Sequence, residues 1–301
     1  MESLLANLPT LMALVRHGSV SAAAAELGVP RSTVSRRLAR LEQELGVVLA
    51  ERTTRTLKLT DAARELGGES AALLTKLRTT AEAIVAEAGK VKGRLRIALA
   101  PGLGGPFIAP LIASFHRRHP DVVVELLVTE RQPHLLDDQI DALAVTTLDP
   151  ALPWSRRSLG RTPAIAVASP RYLRDRPALT DAAALDGHVV LWYGLNRGGT
   201  FTWPRLRGAP IPVRPAFVTN DLPTLREMAL EGVGVAMLPM HLIVDELARG
   251  ALVHVLPKQI GATIEFFALF VPERGKSPVL RALFDEVSRY SAKLAASANK
   301  A

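Results

Sequence analysis

The sequence predicts an α/β protein that begins with a small all-α winged helix-turn-helix and continues into a longer region of strands and helices. Three observations support this prediction. Near the N-terminus, a helix of small residues and a helix of basic residues meet at Gly28. A long helix with one apolar stripe follows, and beyond Gly93 short apolar strands alternate with helical segments. Such alternation is typical of largely parallel sheets that helices cover on both faces.

The composition bounds the class of protein. The chain has 301 residues, 48% of them hydrophobic, which is enough for about two or three folding units. No apolar run approaches the roughly eighteen residues of a membrane-spanning helix, and the start Met1-Glu-Ser-Leu-Leu5 lacks a signal-peptide pattern. We therefore expect a cytoplasmic protein with no membrane partner. The absence of cysteine excludes disulfide scaffolds, zinc–thiolate sites and thiol redox sensing.

The net charge points to a polyanionic partner. The formal charge is +8 and the isoelectric point is near 10.2. Charge alone does not distinguish nucleic acid from an anionic membrane surface.

The most informative stretch lies near the N-terminus. Residues 22–25 are four alanines, so a second helix can cross the first one closely. Gly28 supplies the turn between them, because glycine adopts a positive φ without strain. The second helix is expected to start near Pro30, with Ser32 and Thr33 as candidate caps.

Periodicity gives this second helix two faces. At about 100° per residue, Val34, Leu38 and Leu41 fall on one side. The other side carries hydroxyl, guanidinium and amide groups, which suit the major groove of DNA, where arginine reads guanine bidentately. The candidate DNA contacts on the two helices are Ser21, Arg31, Ser32, Thr33, Ser35, Arg36 and Arg40.

A two-stranded wing is predicted after Gly46, where residues 47–59 change from helical to alternating. Its candidate DNA contacts are Arg52, Thr54, Arg55 and Lys58. Seven basic residues against three acidic ones lie between Arg31 and Lys58, which favours phosphate as a partner. The alternative is an ordinary solvated face. That alternative would not require the small-residue helix, the turn glycine and the basic wing together, so DNA binding is favoured.

A long helix follows the wing. Thr60-Asp61 is expected to cap it, and it is expected to run to Glu87. Its apolar stripe consists of Leu66, Leu73, Leu74, Leu77, Ala81, Ile84 and Val85. Because no domain is predicted to cover this apolar stripe, we expect the helix to pair with the same helix of a second subunit. Gly67-Gly68 interrupts the stripe and predicts a flexible point or a bend.

Residues 4–66 resemble the winged helix-turn-helix of the LysR-type transcriptional regulators. The matching segments are Gly18-Ser-Val-Ser-Ala-Ala-Ala24, Leu27-Gly-Val29, Val34-Ser-Arg36, Leu41-Glu42, Glu44-Leu-Gly46, Glu51-Arg-Thr-Thr-Arg55 and Leu59-Thr60. The chain departs from the family in having Arg31-Ser32 where many members have Gln-Pro, Ala50 for phenylalanine and Ala63 for glycine. The first departure would alter the base that is read, and the other two concern packing.

Residues 92–294 resemble the effector domain of the same family, which is like a periplasmic binding protein: two α/β lobes, two crossover strands and a cleft between the lobes. The matching segments are Gly93-Arg-Leu-Arg-Ile97, His119-Pro-Asp-Val122, Val167-Ala-Ser-Pro170, Tyr172-Leu173, Asn220-Asp221, Gly232-Val-Gly-Val235, Leu238-Pro239 and Ser277-Pro278. The strands predicted in this region are 95–100, 122–128, 142–146, 165–168, 189–192, 216–218, 233–238, 252–256 and 265–271.

The resemblance implies three domains: a winged helix-turn-helix over 1–60, a linker and dimerisation helix over 61–91, and an effector-binding domain over 92–301. Lobe I would comprise about 92–162 and 268–301, and lobe II about 163–267. It further implies a sequence-specific regulator of transcription that binds double-stranded DNA as a dimer or tetramer. A small organic effector in the cleft and contact with RNA polymerase are also expected.

Ligands of open α/β sheets bind beyond the carboxyl ends of strands, near helix N-termini. Candidate positions follow the first strand, the second strand and the strand that ends near Thr219. The candidate effector contacts are Gly102, Leu103, Gly104, Gly105, Glu130, Tyr193, Thr219, Asn220 and Asp221. The glycine loop could hold an anion with bare amides or be only a mobile turn, and it lacks the Ser or Thr common in the family. Asp221 or Asn220 could simply cap the next helix, and Tyr193 could be core.

Enzyme signatures are not found. The sequence has no Gly-x-Ser-x-Gly elbow, no Walker loop and no long dinucleotide fingerprint. His116 and His119 lie near Arg117 and Arg118, which indicates a basic solvated face rather than a metal site. We therefore expect no catalytic residue, metal or cofactor. Two other classes remain open: a nonspecific DNA-architectural protein, and a ligand-binding module without specific DNA readout.

Overall fold

The computed structural model describes residues 2–52, 57–87, 91–99, 102–103, 108–129, 133–194 and 199–298, with the side chains of residues 2, 52 and 293–298 left aside. The N-terminal elements are α1 Glu2–His17, α2 Val20–Leu27, α3 Arg31–Leu45, β1 Ala50–Arg52, β2 Leu57–Leu59 and α4 Asp61–Glu87. Strands β1 and β2 pair antiparallel, as expected for a wing.

The corner between α2 and α3 forms as predicted, with Gly28 at φ 63° in the left-handed region. The predicted caps on α3 are wrong. The helix starts at Arg31 with Pro30 as its N-cap residue, and the amides of Thr33 and Val34 donate to the Pro30 carbonyl. Ser32 and Thr33 already lie inside the first turn, so neither hydroxyl precedes the helix as a cap must.

One apolar core holds the N-terminal region together. Leu11 and Leu14 of α1 pack with Val34, Leu38 and Leu41 of α3, all of them essentially inaccessible to solvent. Full burial of each such side chain stabilises the fold by about 1.5–3 kcal/mol. The wing is tied to this core by Glu42, whose Oε1 accepts hydrogen bonds from the amides of residues 49 and 50 at 2.9 and 3.1 Å. Packing on α1 and the hydrogen bonds of Glu42 to the wing therefore both hold α3 in its orientation.

Helix α4 runs without interruption through both glycines. A Cβ on Gly67 would lie 2.8 Å from Val15 Cγ2, so this residue is glycine because α1 approaches closely. Close helix packing thus explains the missing side chain at Gly67, while a flexible point or a bend at the two glycines stays a prediction. The predicted cap is confirmed: Thr60 Oγ1 accepts a hydrogen bond from the Ala63 amide at 3.3 Å.

The second region alternates strands with helices. Its strands are β3 Gly93–Leu99, β4 Val122–Val128, β5 Ala142–Val145, β6 Ser155–Ala168, β7 Val190–Tyr193, β8 Thr202–Trp203, β9 Ile211–Pro212, β10 Pro215–Thr219, β11 Val235–Pro239, β12 Val253–His254 and β13 Ala262–Phe270. Its helices are α5 Ile108–Arg118, α6 Pro170–Arg174, α7 Leu222–Leu230, α8 Val244–Ala248 and α9 Pro278–Ala298. Short 3₁₀ helices span Ala182–Gly187, Met240–Leu242 and Pro272–Lys276.

A nine-stranded sheet has the order β10-β7-β11-β6-β13-β5-β3-β4, with β12 on β6. Its middle is the antiparallel pair β6 and β13, which joins the parallel strands of lobe I to those of lobe II. These are the two expected crossover strands, and β6 is much longer than the predicted 165–168. The two-residue strands β8 and β9 were not predicted, because so short a segment has no readable periodicity.

Each lobe has its own core. Lobe I packs β3 and β13 against α5 and α9, with Phe115, Leu280 and Phe284 at the centre. Lobe II buries both faces of its sheet, around Trp203 on one face and Leu225 on the other. Two separate cores joined by two strands leave room for a cleft between the lobes.

Candidate functional site

The outer face of α3 carries most of the predicted DNA contacts. Ser32, Arg36 and Arg40 are exposed, and Thr33 and Ser35 are half-buried. Arg31 at the start of the helix and Ser21 on α2 are exposed as well. The structure therefore places the candidate residues of the two helices on solvent-accessible surface, while the apolar side of α3 packs inward.

The basic residues of this region divide into two groups. Arg16 donates to Glu26 and to the carbonyl of Asp137, and Arg37 Nη1 lies 3.5 Å from Thr10 Oγ1. By contrast, Arg31, Arg36, Arg40 and Lys58 form no ion pair with any residue that the structure describes. The second group is the set of cations available to an external polyanion.

The wing adds one described cation. Lys58 is exposed on β2 and pairs in register with Glu51 of β1. Strand β1 ends at Arg52, and the side chain of this residue lies outside the described part of the structure. The predicted contacts Thr54 and Arg55 lie outside the described residues.

Glu26 on α2 is the acidic residue beside this surface. Burial alone would raise its pKa, but hydrogen bonds from Arg16 and His17 outweigh burial, and the pKa is lowered. The carboxylate is therefore ionised and paired at neutral pH. Its charge is compensated within the domain.

A cleft of about 370 Å³ lies between the lobes. Its lining residues come from both crossover strands and from strand ends of each lobe. They are Gly102, Leu103, Thr146, Ala164, Trp192, Tyr193, Thr202, Trp203, Pro204, Leu222, Met237, Pro239, His241, Ala262, Thr263, Ile264, Glu265 and Phe266. Three predicted effector contacts, Gly102, Leu103 and Tyr193, are among them. Such a mostly apolar cavity with a few polar groups is typical of small-molecule sites.

The lobes are in close contact at Gly102. A Cβ on this residue would lie 2.6 Å from Leu222 Cδ1 and 3.1 Å from Tyr193 Oη. Its φ of 87° also favours glycine. The strand end of lobe I therefore contacts lobe II at the edge of the cleft.

The other predicted effector contacts are not in the described lining. Thr219, Asn220 and Asp221 lie at the end of β10 outside it. The predicted cap is confirmed at Asp221, whose Oδ2 accepts a hydrogen bond from the Thr224 amide at 2.9 Å and whose pKa is lowered by that bond. Gly104, Gly105 and Glu130 lie outside the described residues. An effector role stays a prediction for all nine candidate residues.

His241 is a cleft residue that the sequence did not indicate. It lies in the 3₁₀ helix Met240–Leu242 directly after β11, with its ring edge-on to Phe266 at 5.7 Å between centroids. Burial lowers its pKa to about 4, so the imidazole is neutral at physiological pH. The rule that ligands bind at strand ends could have identified it, since His241 is the second residue after β11.

A buried cluster of charges joins α4 to lobe I. Arg274 Nη1 lies 2.9 Å from Glu82 Oε2 and 3.0 Å from Thr79 Oγ1. Its Nε lies 2.8 Å from Asp141 Oδ1, an ion pair without hydrogen-bond alignment. Arg78 also donates to Asp141. Two positive and two negative side chains thus compensate each other across the boundary between the linker helix and lobe I.

Two searches of the described residues bear on other classes of protein. None of the helices within the described ranges is long and apolar enough to cross a membrane. No group of three or more His, Asp or Glu side chains that could hold a metal ion is found in the same ranges.

A winged helix-turn-helix with an exposed basic helix, joined to two lobes around a cleft, defines a ligand-responsive DNA-binding regulator. Residues 5–64 match the family description "Bacterial regulatory helix-turn-helix protein, lysR family", and residues 88–292 match "LysR substrate binding domain". The chain belongs to the LysR family of transcriptional regulators and is not an enzyme. The predicted fold class and function are confirmed.

Named relatives agree with this assignment. The regulator PtxR of Pseudomonas aeruginosa is 34% identical over 264 residues, 83% of this chain and 81% of PtxR. The regulator CrgA of Neisseria meningitidis is 30% identical over 283 residues, 93% of this chain and 94% of CrgA. The full-length structure of AphB, a Vibrio cholerae virulence activator, has a TM-score of 0.63 at 26% identity and covers 95% of this chain and 99% of AphB.

Proposed function

We propose that α3 enters the major groove of double-stranded DNA with its outer face toward the bases. The observation that carries this proposal is the separation of its faces, with Val34, Leu38 and Leu41 buried and Arg36 and Arg40 exposed. The two arginines are one helical turn apart and extend from the same side. Arginine binds guanine bidentately, and the groove admits one helix.

The remaining contacts would position the protein on the duplex. Hydroxyl groups reach bases or phosphates, whereas cations of the wing hold phosphates and carry no sequence information. The proposed contacts are Ser21, Arg31, Ser32, Thr33 and Ser35 on the helices and Arg52, Thr54, Arg55 and Lys58 in the wing. Four of the cations on this surface form no ion pair with a described residue and are therefore available to bind DNA: Arg31, Arg36, Arg40 and Lys58.

We further propose that two copies pair along α4. Leu73, Leu77 and Ile84 are each about two-thirds exposed, at 65, 65 and 64%. They follow the predicted stripe, while an adjacent face of the helix packs on its own chain through Ala63, Gly67 and Ala71. Burying this stripe against its copy would remove apolar surface from water. A tetramer of two such dimers extends the same proposal.

The cleft is the proposed effector site. Occupancy would reach α4 through the charged cluster, because β5 connects Asp141, which directly precedes it, to the cleft residue Thr146, which directly follows it. Strand β13 runs from the cleft residues 262–266 toward Arg274. An effector regulates only if it binds one arrangement of subunits more tightly than another. Contact with RNA polymerase and a cytoplasmic location complete the proposal, with boundaries at residues 60 and 92 between the domains.

Footprinting tests specific DNA recognition. The full-length protein is incubated with the DNA upstream of its own gene, across a salt series with nonspecific competitor. We expect a discrete footprint with two-fold symmetry that survives moderate salt. Binding everywhere that disappears with salt would instead indicate a nonspecific architectural protein. No retention of DNA at low salt would indicate a ligand-binding module.

A further inference from the structure

The walls of the cleft suit a flat ligand, an argument that rests on the proposed effector role of this site. Four aromatic residues from three different strands surround one cavity: Trp192 and Tyr193 of β7, Trp203 of β8 and Phe266 of β13. Trp203 is buried, and Trp192 is held edge-on by Phe201 with 5.1 Å between ring centroids. Rings fixed in this way offer stacking and edge-to-face contacts to a planar molecule.

The charged groups in the described part of the cleft disfavour an anion. The described lining contains no lysine or arginine, and its one acidic side chain is Glu265, which is exposed on β13. His241 does not supply a positive charge, because burial keeps its imidazole neutral. Among the described lining residues, an entering carboxylate would lose its hydration without gaining a cation and would meet the acidic side chain of Glu265.

The polar groups that remain are uncharged. They are the hydroxyl groups of Thr146, Thr202, Thr263 and Tyr193 and the imidazole of His241. The loop residues Gly102 and Leu103, which line the cleft, add no hydroxyl group and no cation. Such groups donate to and accept from a neutral amide, phenol or carbonyl.

We propose that the cleft binds an uncharged planar aromatic molecule with one hydrogen-bonding group, and that it discriminates against the corresponding carboxylate. The volume of about 370 Å³ accommodates a two-ring ligand.

Calorimetric titration of the full-length protein with 2-naphthamide and 2-naphthoate at pH 7.5 tests this proposal, since the two probes share shape and differ in charge. We expect 2-naphthoate to bind about tenfold more weakly or worse. Glu265→Gln should improve binding of 2-naphthoate and leave 2-naphthamide unchanged. Glu231→Gln, an exposed carboxylate outside the lining, is the matched control and should change neither.

A blocking variant separates the ligand class from the site. Thr146→Trp, with Thr263→Trp as a second version, places bulk at exposed positions of the lining and should abolish binding. Tighter binding of 2-naphthoate that Thr146→Trp abolishes would overturn the ligand class while keeping the cleft as the site. If replacing Arg131 or Arg197 removed that preference for 2-naphthoate, a cation outside the described lining would be its cause. Binding of neither probe would overturn the ligand class, and binding that both blocking variants leave intact would overturn the cleft as the site.

Discussion

Arg274 donates to Glu82 across the boundary between lobe I and the linker helix, although only 1 and 7% of their side chains are exposed. Nη1 and Oε2 are 2.9 Å apart, and Ser277 donates to the same carboxylate oxygen. Charges removed from water in this way are tolerated when each has its partner. The contact therefore fixes α4 on the effector domain in one register.

Removal of Arg274 should destabilise the protein strongly. In Arg274→Met, the carboxylates of Glu82 and Asp141 lose their buried partner, and we expect a loss of about 3–5 kcal/mol in the free energy of unfolding. Urea unfolding of the full chain measures it. Arg281→Met is the matched control, because Arg281 is exposed and, among the described residues, its side chain donates only to the Gly275 carbonyl. It should change stability by about 0.5 kcal/mol or less.

The double variant Arg274→Met, Glu82→Gln tests whether the two residues act together. We expect it to be less destabilised than the sum of the single variants, with a coupling of about 0.5–3 kcal/mol. Equal losses in Arg274→Met and Arg281→Met, or strict additivity with Glu82→Gln, would contradict the assignment of this ion pair.

The exposed stripe on α4 predicts a charge-sensitive dimer. Leu77→Glu should shift the protein toward monomer in sedimentation velocity, because an ionised carboxylate would be buried in the helix pair. Its neighbour Lys76 is exposed about 100° around the helix, so Lys76→Glu is the control. An unchanged sedimentation coefficient for Leu77→Glu would mean that another surface holds the subunits together.

Gly102→Ala should affect both stability and the cleft. Its φ of 87° strains any other residue, which costs about 1–2 kcal/mol, and the new methyl group would meet Leu222. We expect lower stability and weaker binding of 2-naphthamide. Gly208→Ala is a matched control, since Gly208 has φ 96° with open space around it. Equal effects of both variants on ligand binding would exclude the contact between lobes as the cause.

Acid should weaken the fold partly through His241. Its pKa is about 4 in the folded protein and near the ordinary 6.5 when unfolded, so the unfolded state binds more protons between these values. Stability should therefore fall as the pH drops from 6.5 toward 4. Thermal midpoints of wild type and His241→Asn at pH 7.5 and 5.0 measure this, and the variant should lose less. His188 and His254, whose pKa values burial also lowers, contribute equally to both proteins. A parallel decline would show that His241 titrates normally.

Local patterns in the sequence predicted the elements well. The four alanines and Gly28 were sufficient for the helix corner, and alternation located most of the main strands within a few residues, although it missed the first ten residues of β6. These features depend on neighbours in the chain, which periodicity reports directly. The packing role of Gly67 could not be predicted in this way, because it depends on a contact with Val15 of another helix.

The candidate site was only partly predictable. Gly102, Leu103 and Tyr193 follow from the rule about strand ends, whereas Trp203 and Glu265 join the cleft only through the packing of distant segments. The same limit applies to Arg274 and Glu82, which are 192 positions apart. No pattern of neighbouring residues encodes such a pair.

The most direct test of DNA reading by α3 is the ratio of affinities for the footprinted site and a scrambled duplex. Fluorescence anisotropy of the full chain over a salt series gives this ratio for wild type, Arg36→Ala and Lys58→Ala. We predict that Arg36→Ala loses about 1–3 kcal/mol on the specific site and lowers the ratio. Lys58→Ala should weaken both duplexes alike and reduce the salt slope by about 1. Equal weakening of both duplexes by Arg36→Ala, with the ratio unchanged, would contradict base reading by α3.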